Sequence, residues 1–203
     1  IKTMKYCAEN IGNCVFSYCQ SDEITFILVD YEKLETDAWF NYRTDKLCSI
    51  TASMATMAFN KFFWKESEKV IKNTHYEKVS ENYKKYVEIL MSARQKGAMF
   101  DARCFNIPKE EVCNLIYWRQ LDATRNSIQM VGQAVFSHNE LQNKTCNMIQ
   151  DMLMEQRGIN WNDYETRWKR GVAWTKNTGV DYEMPILKGE NRKYVDDLIY
   201  IGE

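Results

Sequence analysis

Residues 14–29 read Cys-Val-Phe-Ser-Tyr-Cys-Gln-Ser-Asp-Glu-Ile-Thr-Phe-Ile-Leu-Val. Two apolar runs, both rich in β-branched and aromatic residues, flank a polar triplet of Ser21, Asp22 and Glu23. Such runs are typical of strands, and a short polar break between them is typical of a turn. The stretch therefore predicts a β-hairpin over residues 14–30, with its turn at residues 20–23.

The tip of this hairpin would carry two adjacent carboxylates, those of Asp22 and Glu23. Carboxylate oxygen is a ligand that hard divalent cations such as Mg²⁺ prefer. The tip is therefore a candidate metal site. The alternative is that the carboxylates only hydrate a turn, as polar residues commonly do.

The composition predicts a single domain over residues 1–203. Hydrophobic residues make up 45% of the chain and aromatic residues 13%, and no linker rich in Pro, Gly or Ser divides it. There is no apolar run of about 18 residues, so we expect no transmembrane helix. The seven cysteines include no Cys-x-x-Cys pair, which predicts reduced, buried thiols in a cytoplasmic protein. Zinc is not expected, because neither His75 nor His138 has a cysteine at ligand spacing.

The formal net charge is −1, so a surface that binds nucleic acid would have to be a local one. The densest group of basic residues consists of Arg157, Arg167, Lys169 and Arg170, with Trp161, Tyr164 and Trp168 interleaved. Such a mixture can hold phosphates and stack on bases. It can equally be a solvated surface with a few buried rings.

Periodicity and capping residues predict the other elements. Residues 1–10 are expected to form the end of a helix, and another helix is expected from a cap at Thr36 and Asp37 to about Phe63. Residues 65–97 are predicted to be a charged helical segment, which is either solvated or an oligomer contact. A strand over 99–107, a helix from Lys109 to about Phe136, a capping box at 137–140 and a helix over 145–158 are expected next. A strand–turn–strand unit is predicted from Gly171, and the tail over 186–203 has no assigned structure. This order predicts an α+β fold in which helices cover a sheet.

Two sets of polar residues stand at helical spacing. Arg43 and Lys46 lie three apart near the start of the second helix, where they could equally be ordinary surface charge. The helix from Lys109 carries a polar row formed by Arg119, Asp122, Asn126, Gln129 and Gln133. Such a row faces solvent, another helix or a substrate.

Six segments, in order along the chain, resemble segments of one known family. They are residues 20–23, 49–59, 100–103, the distinctive 117–126 (Tyr-Trp-Arg-Gln-Leu-Asp-Ala-Thr-Arg-Asn), 158–162 and 169–171. Their order and approximate spacing, across about residues 5–175, are similar to those of the tRNA-histidine guanylyltransferase family. Members of that family are reverse-direction polymerases that add nucleotides to the 5′ end of tRNA.

The resemblance implies a polymerase-palm-like antiparallel sheet, a homotetramer, Mg²⁺, and ATP and GTP as substrates alongside tRNA. Polymerases place a metal-binding carboxylate on such a hairpin, so Asp22 would bind the metal and Glu23 would assist. The nucleotide-binding residues would be Ser21, Arg43, Lys46 and Arg103. The tRNA-binding residues would be Arg119, Asn126, Lys169 and Arg170.

The implied reaction is 3′-to-5′ addition of nucleotides, preferably GTP, after ATP-dependent activation of the tRNA 5′ end. The guanylyltransferases proper have His where this chain has Thr124, and Lys-Asn-Glu where it has Ile149, Gln150 and Asp151. These differences resemble the bacterial, phage and archaeal "guanylyltransferase-like" branch. The resemblance therefore implies repair of tRNA 5′ ends, with tRNAHis guanylylation as the other possibility.

The family also opens with a strand that carries Asp-Gly-Arg, whose Asp is a second metal ligand. Residues 1–13 do not match it, so we expect that strand upstream of residue 1. Two alternatives stand beside the nucleotidyltransferase. One is a non-catalytic tRNA-binding module, and the other is a different palm-domain enzyme such as a nucleotide cyclase.

Overall fold

The computed structural model describes residues 1–201; residues 202 and 203, the end of the predicted single domain, lie outside the described residues. The strands are β1 (Cys14–Gln20), β2 (Glu23–Leu28), β3 (Val172–Thr175) and β4 (Gly179–Asp181). The helices are α1 (Lys2–Asn10), α2 (Thr44–Lys72), α3 (Glu81–Lys96), α4 (Lys109–Val135), α5 (His138–Leu141), α6 (Cys146–Arg157), α7 (Thr166–Arg170) and α8 (Lys193–Ile199). Short 3-10 turns lie at Trp39–Tyr42, Tyr76–Lys78, Trp161–Asp163 and Gly189–Arg192.

The hairpin forms where the sequence predicts it. Its last cross-strand pair is Gln20 with Glu23, so Ser21 and Asp22 make up a two-residue turn. Ser21 has a φ of 49°, in the left-handed region that tight hairpin turns use. The turn therefore projects the Asp22 side chain from the very end of the hairpin into solvent.

The predicted α+β fold is confirmed. The four strands lie in the order β2-β1-β3-β4, and each neighbouring pair is antiparallel. The predicted C-terminal strand–turn–strand unit is the pair β3–β4. Strand β1 is central, because it pairs with β2 on one side and β3 on the other, and it is almost wholly buried.

Side chains alternate between the two faces of the sheet, as the pleat requires. On one face, Phe16, Tyr18 and Ala173 are buried against Ile116 of α4 and Val195 of α8. Burying an apolar side chain of this size contributes roughly 1.5–3 kcal/mol. The C-terminal tail, for which the sequence predicted no structure, contains helix α8, and the apolar side of this helix completes the core.

The opposite face of the sheet packs against the first two helices. Val172 and Trp174 of β3 lie with Met4 and Cys7 of α1 and Ala55 of α2. A third, smaller cluster joins α4 to α6 through residues that include Ile128 and Leu153. With both faces covered, the strands of the hairpin are held in the core, and its two turn residues are exposed.

The predicted bounds of the second helix were wrong. Helix α2 begins at Thr44 rather than near residue 37, and it continues to Lys72 rather than ending near Phe63. Phe40, Asn41 and Tyr42 all have positive φ, between 51° and 57°, which interrupts any helix that starts earlier. Arg43 therefore precedes the helix and does not share a helical face with Lys46.

The strand predicted over residues 99–107 does not form. This segment instead lies along α2 and is bonded to its side chains. The Asn60 amide exchanges two hydrogen bonds of 2.8 Å with the backbone of Ala98, and the Phe100 N–H donates to Thr56 Oγ1 at 3.0 Å. Side chains of α2 thus bind backbone groups that, in a sheet, would form hydrogen bonds with a neighbouring strand.

The remaining predictions of helices and caps agree with the structure. Helices α1, α4 and α6 match the helices predicted over 1–10, 109–136 and 145–158, and the 65–97 segment contains the end of α2 and α3. The capping box joins Ser137 and Glu140, and α6 ends at Gly158 in the left-handed conformation. Within residues 1–201, no helix is both long and apolar enough to cross a bilayer.

Candidate active site at the hairpin tip

Asp22 stands alone at the end of the hairpin. Its side chain is exposed, and its carboxylate has no hydrogen bond or ion pair to any other residue of the described range 1–201. Ser21, beside it in the turn, is also exposed. The tip therefore presents one unneutralised carboxylate and one hydroxyl to whatever approaches from solvent.

The neighbouring carboxylate of Glu23 is already paired. Its Oε2 accepts a hydrogen bond from Gln20 Nε2 at 3.0 Å and lies 2.8 Å from a terminal guanidinium nitrogen of Arg119. Both members of the ion pair are partly exposed, at 47% for Glu23 and 38% for Arg119. The structure thus joins a residue predicted to be catalytic to one predicted to bind tRNA, and it leaves Asp22 as the free carboxylate of the tip.

Tyr18 connects the hairpin to α7. Its hydroxyl donates to the backbone carbonyl of Arg170 at 2.6 Å. Burial raises the pKa of Tyr18 above its ordinary value, with Cys19 adding to the rise and Arg119 opposing it, so the hydroxyl stays protonated and remains a donor. A Cβ on Gly171, which has a φ of 84°, would stand 2.6 Å from both this hydroxyl and the Cys19 carbonyl oxygen. Glycine is required there for α7 to approach β1.

Two of the other three predicted tRNA-binding residues, Asn126 on α4 and Lys169 on α7, are engaged within the protein. Asn126 Nδ2 donates to Asp122 Oδ2 at 3.2 Å, and Arg125 donates to the other oxygen of Asp122 at 2.7 Å. Lys169 Nζ donates to the Asn162 carbonyl at 2.6 Å. Part of the predicted polar row is therefore a network along one helix.

Arg170 also contributes its side chain to a local contact. Its Nε donates to the Met184 carbonyl at 3.4 Å, a long hydrogen bond that leaves most of the guanidinium donors unengaged. Arg119 and Arg170 belong to helices α4 and α7, which pack against each other.

The three predicted nucleotide-binding cations belong to a second group, around the start of α2. Arg43 donates to Asp45 at 2.8 Å and lowers the pKa of that carboxyl, while Lys46 lies 5.7 Å from the centre of the Phe40 ring. Arg103 is 3.6 Å from Asp101, and both side chains are more than 85% exposed. Such exposed pairs are weak, so a phosphate could displace either carboxylate.

The fold brings Arg103 to this second group across a long stretch of chain. Cys104, the next residue, has its Sγ 4.0 Å from the Thr44 carbonyl oxygen and 3.5 Å from Cys48 Sγ. Thr44 lies between Arg43 and Lys46 in the sequence. The segment that carries Arg103 therefore passes beside the start of α2, which carries Lys46 and follows Arg43.

Sequence reasoning missed Gln120, which follows Arg119 and is only 2% exposed. Its Nε2 donates to the Pro185 carbonyl at 2.8 Å, and its Oε1 accepts from the Leu187 N–H at 3.0 Å. The signal was present, because Gln120 stands four residues after the buried Ile116 and three before the buried Ala123. An amide on the apolar side of a helix must find buried partners.

A magnesium ion could be held at the tip. No group of three or more His, Cys, Asp or Glu side chains that could hold a metal occurs within residues 1–201. Mg²⁺, however, is commonly bound through one or two carboxylates, with water and substrate phosphates completing its octahedron. The single free carboxylate of Asp22 fits that mode of binding, and the paired Glu23 fits it less well.

Comparison with known proteins decides the family. The family model described as tRNAHis guanylyltransferase (Thg1) matches residues 1–108, which is more than half of the chain. The chain belongs to this family. The resemblance drawn from the sequence motifs is thereby confirmed, and the chain is a guanylyltransferase-like nucleotidyltransferase of that family.

Solved structures of the family share the fold. A bacterial tRNA(His) guanylyltransferase-like protein in complex with ATP is 36% identical, with a TM-score of 0.79 over 98% of this chain and 77% of its own. A bacterial guanylyltransferase-like protein in complex with GTP is 34% identical, with a TM-score of 0.69 over 98% of this chain and 75% of its own. The palm-type α+β fold predicted from the resemblance agrees with both.

A yeast relative has a lower sequence identity to this chain than the two bacterial proteins. The tRNA(His) guanylyltransferase of Saccharomyces cerevisiae is 25% identical over 195 residues, which cover 87% of this chain and 70% of the yeast protein. Part of the yeast protein therefore has no counterpart in the 203 residues of this chain.

Proposed function

We infer that this protein adds nucleotides, preferably GTP, in the 3′-to-5′ direction to the 5′ end of tRNA after activation by ATP. The observation that supports this most directly is the free, exposed carboxylate of Asp22 on the hairpin of a guanylyltransferase-family fold. The bacterial relatives with 36% and 34% identity were solved with ATP and with GTP, the two nucleotides that the proposed reaction uses.

The proposed reaction has two phosphoryl-transfer steps. In the first, the 5′-monophosphate of tRNA attacks the α-phosphorus of ATP and expels pyrophosphate, which leaves an adenylylated 5′ end. In the second, the 3′-hydroxyl of GTP attacks the 5′-phosphate, and AMP leaves. Positioning and neutralisation of charge account for most of the catalysis in reactions of this type.

The residues of the tip would serve the reacting phosphates. Asp22 would hold Mg²⁺, which when bound neutralises phosphate charge and lowers the pKa of a bound hydroxyl. Ser21 would donate its hydroxyl to the activating nucleotide. Glu23 would act chiefly through Arg119, because their ion pair orients the guanidinium and leaves its other donors free for a tRNA phosphate.

The second group would hold the triphosphate of the nucleotide. Arg43 and Lys46 lie at the start of α2 and Arg103 lies on the segment beside it, and each side chain reaches solvent. Arginine forms bidentate bonds to phosphate, and lysine contributes a compact positive charge. Arg119, Asn126, Lys169 and Arg170 would contact tRNA, and of these the two arginines have the most unengaged donors.

The biological role that we propose is repair of tRNA 5′ ends, with tRNAHis guanylylation as the second candidate. Thr124 and the segment Ile149, Gln150 and Asp151 favour repair, since the guanylyltransferases proper differ at these positions. The homotetramer implied by the family resemblance and the cytoplasmic location predicted from the cysteines stay predictions. The mass in solution, measured by light scattering, checks the first of them.

Replacing Asp22 tests the proposal. Asp22→Ala should reduce nucleotide addition at least 100-fold on a 5′-truncated tRNA supplied with ATP, GTP and Mg²⁺, because the only free carboxylate of the tip is lost. The far-UV circular dichroism spectrum and the thermal midpoint should stay unchanged, since an exposed turn residue contributes little to stability.

The matched control is Glu35→Ala, which removes another exposed carboxylate from a connecting segment. Its rate of addition should equal that of the wild type. An Asp22→Ala protein that adds nucleotides at the wild-type rate would disprove the role of the tip. Cyclic product formed from ATP alone would instead identify a nucleotide cyclase.

A further inference from the structure

Two cysteines from distant parts of the chain meet beside the second basic group. The Sγ atoms of Cys48 and Cys104 are 3.5 Å apart, although 56 residues separate them in the sequence. Cys48 lies on α2 and is half-buried, and Cys104 lies on the segment after α3 and is exposed. The sequence predicted buried thiols, and Cys104 contradicts that prediction.

The meeting of these thiols is part of a regular alignment between two segments. Contacts pair Asn60 with Ala98, then Thr56 with Phe100, and then Cys48 with Cys104. Residues 48–60 span roughly 18 Å of helix, and residues 98–104 span roughly 20 Å of extended chain. The two lengths match, so the segment runs antiparallel to α2 and the thiol pair is where their alignment ends.

The alignment weakens towards the thiols. At Asn60 and Thr56 the segment is held by hydrogen bonds of 2.8 to 3.0 Å. At Cys104 it is held only by two sulfur contacts, 3.5 Å to Cys48 and 4.0 Å to the Thr44 carbonyl. A covalent bond at this end would therefore add a restraint that the segment lacks.

We propose that Cys48 and Cys104 form a reversible disulfide, with a low-molecular-weight disulfide such as oxidised glutathione as the oxidant. The thiolate of one cysteine attacks a sulfur of the oxidant and expels one thiolate, which leaves a mixed disulfide. The second cysteine, as its thiolate, then attacks the protein sulfur of that mixed disulfide and expels the other thiolate. Two protein thiols are oxidised, and one small disulfide is reduced to two thiols.

The geometry of the pair suits this bond. A disulfide requires a sulfur–sulfur distance of about 2.05 Å, so the two sulfurs have to approach by about 1.5 Å. Rotation of an exposed side chain supplies such a shift without moving the helix. A disulfide with one exposed sulfur, that of Cys104, is also of the readily reduced kind, which agrees with a reversible bond.

Oxidation would restrain the backbone beside Arg103, because Cys104 is the next residue and α2 is rigid. It would also close a loop of 56 residues, which constrains the unfolded chain more than the folded one. The oxidised protein is therefore expected to melt several degrees higher than the reduced protein. This inference does not rest on the proposed nucleotide chemistry.

Peptide mapping tests the proposal. The full chain is equilibrated with oxidised glutathione, free thiols are blocked with N-ethylmaleimide, and the protein is digested without reduction. The expected product is a pair of peptides joined through Cys48 and Cys104, lighter by two hydrogen atoms than their sum. Dithiothreitol should release both peptides.

Three variants make the result specific. Cys48→Ser and Cys104→Ser should each abolish the linked peptides and the rise in melting temperature. Cys146→Ser, which removes another half-buried thiol, should leave both unchanged. Glutathione adducts on Cys48 or Cys104 without a link between them, or an oxidised protein that melts at the temperature of the reduced one, would overturn the proposal.

Discussion

Arg119 and Gln120 are adjacent residues of α4 that serve different parts of the molecule. Arg119 reaches the hairpin and pairs with Glu23, whereas Gln120 is buried on the other side of the helix and holds the chain at Pro185 and Leu187. A helix turns by about 100° per residue, so neighbours face different surroundings. One motif therefore carries both a contact of the candidate site and a contact of the core.

Replacing Gln120 with leucine is expected to destabilise the fold by about 1–3 kcal/mol. Leucine cannot bond to the Pro185 carbonyl or the Leu187 N–H, and a buried polar group without a partner costs about that much. Unfolding in urea, followed by tryptophan fluorescence, measures the change. Gln129→Leu, at an exposed position of the same helix, is the control and should change stability by less than about 0.5 kcal/mol. Equal losses in both variants would contradict this role.

The residues of the tip show what a sequence can and cannot predict at this scale. The turn and the exposed Asp22 follow from a polar triplet between two strand-like runs, which is local information. The pairing of Glu23 with Arg119 depends on where α4 crosses the sheet, almost a hundred residues later. No local pattern specifies that crossing, so the free and the paired carboxylate could not be told apart beforehand.

At the scale of elements, the errors of prediction lie where side chains or unusual backbone conformations outweigh local patterns. Thr36 and Asp37 look like a helix cap, yet the positive φ values at residues 40–42 delay α2 to Thr44. Residues 99–107 look like a strand, yet Asn60 binds the backbone of the preceding Ala98, and Thr56 accepts from the Phe100 N–H. Both outcomes depend on partners far away in the sequence, whereas the long periodic helix α4 depends mainly on its own apolar spacing.

The convergence of α2 and the segment after α3 leads to a prediction about nucleotide binding. Arg43→Ala, Lys46→Ala and Arg103→Ala should each raise the KM for GTP about tenfold, because each loses a charge-assisted contact to phosphate. Steady-state kinetics at saturating tRNA and ATP measure this constant. Lys65→Ala, at an exposed position further along α2, is the control and should leave it unchanged. An unchanged KM in Arg43→Ala and Lys46→Ala would show that these residues are ordinary surface charges that do not bind GTP.

At the scale of the whole molecule, the residues that stabilise the fold and the residues of the candidate site lie in different places. Its two faces are buried under α4 and α8 on one side and α1 and α2 on the other. The candidate site uses the exposed end of the hairpin and helix surfaces near it. Substitutions in the site are therefore expected to change activity far more than the free energy of unfolding.

The net charge of −1 gives the protein no overall electrostatic attraction to a polyanion such as tRNA. Long-range attraction is weak, so binding of tRNA has to rest on a few local cations, each of which releases counterions from the RNA.

Arg170→Gln should lower the slope of log affinity against log salt concentration by about 0.7–1, as expected for the loss of one phosphate contact. Filter binding between about 50 and 200 mM salt measures this slope. Lys144→Gln removes one exposed charge elsewhere and should leave the slope unchanged; equal slopes for Arg170→Gln and the wild type would place the RNA on another surface.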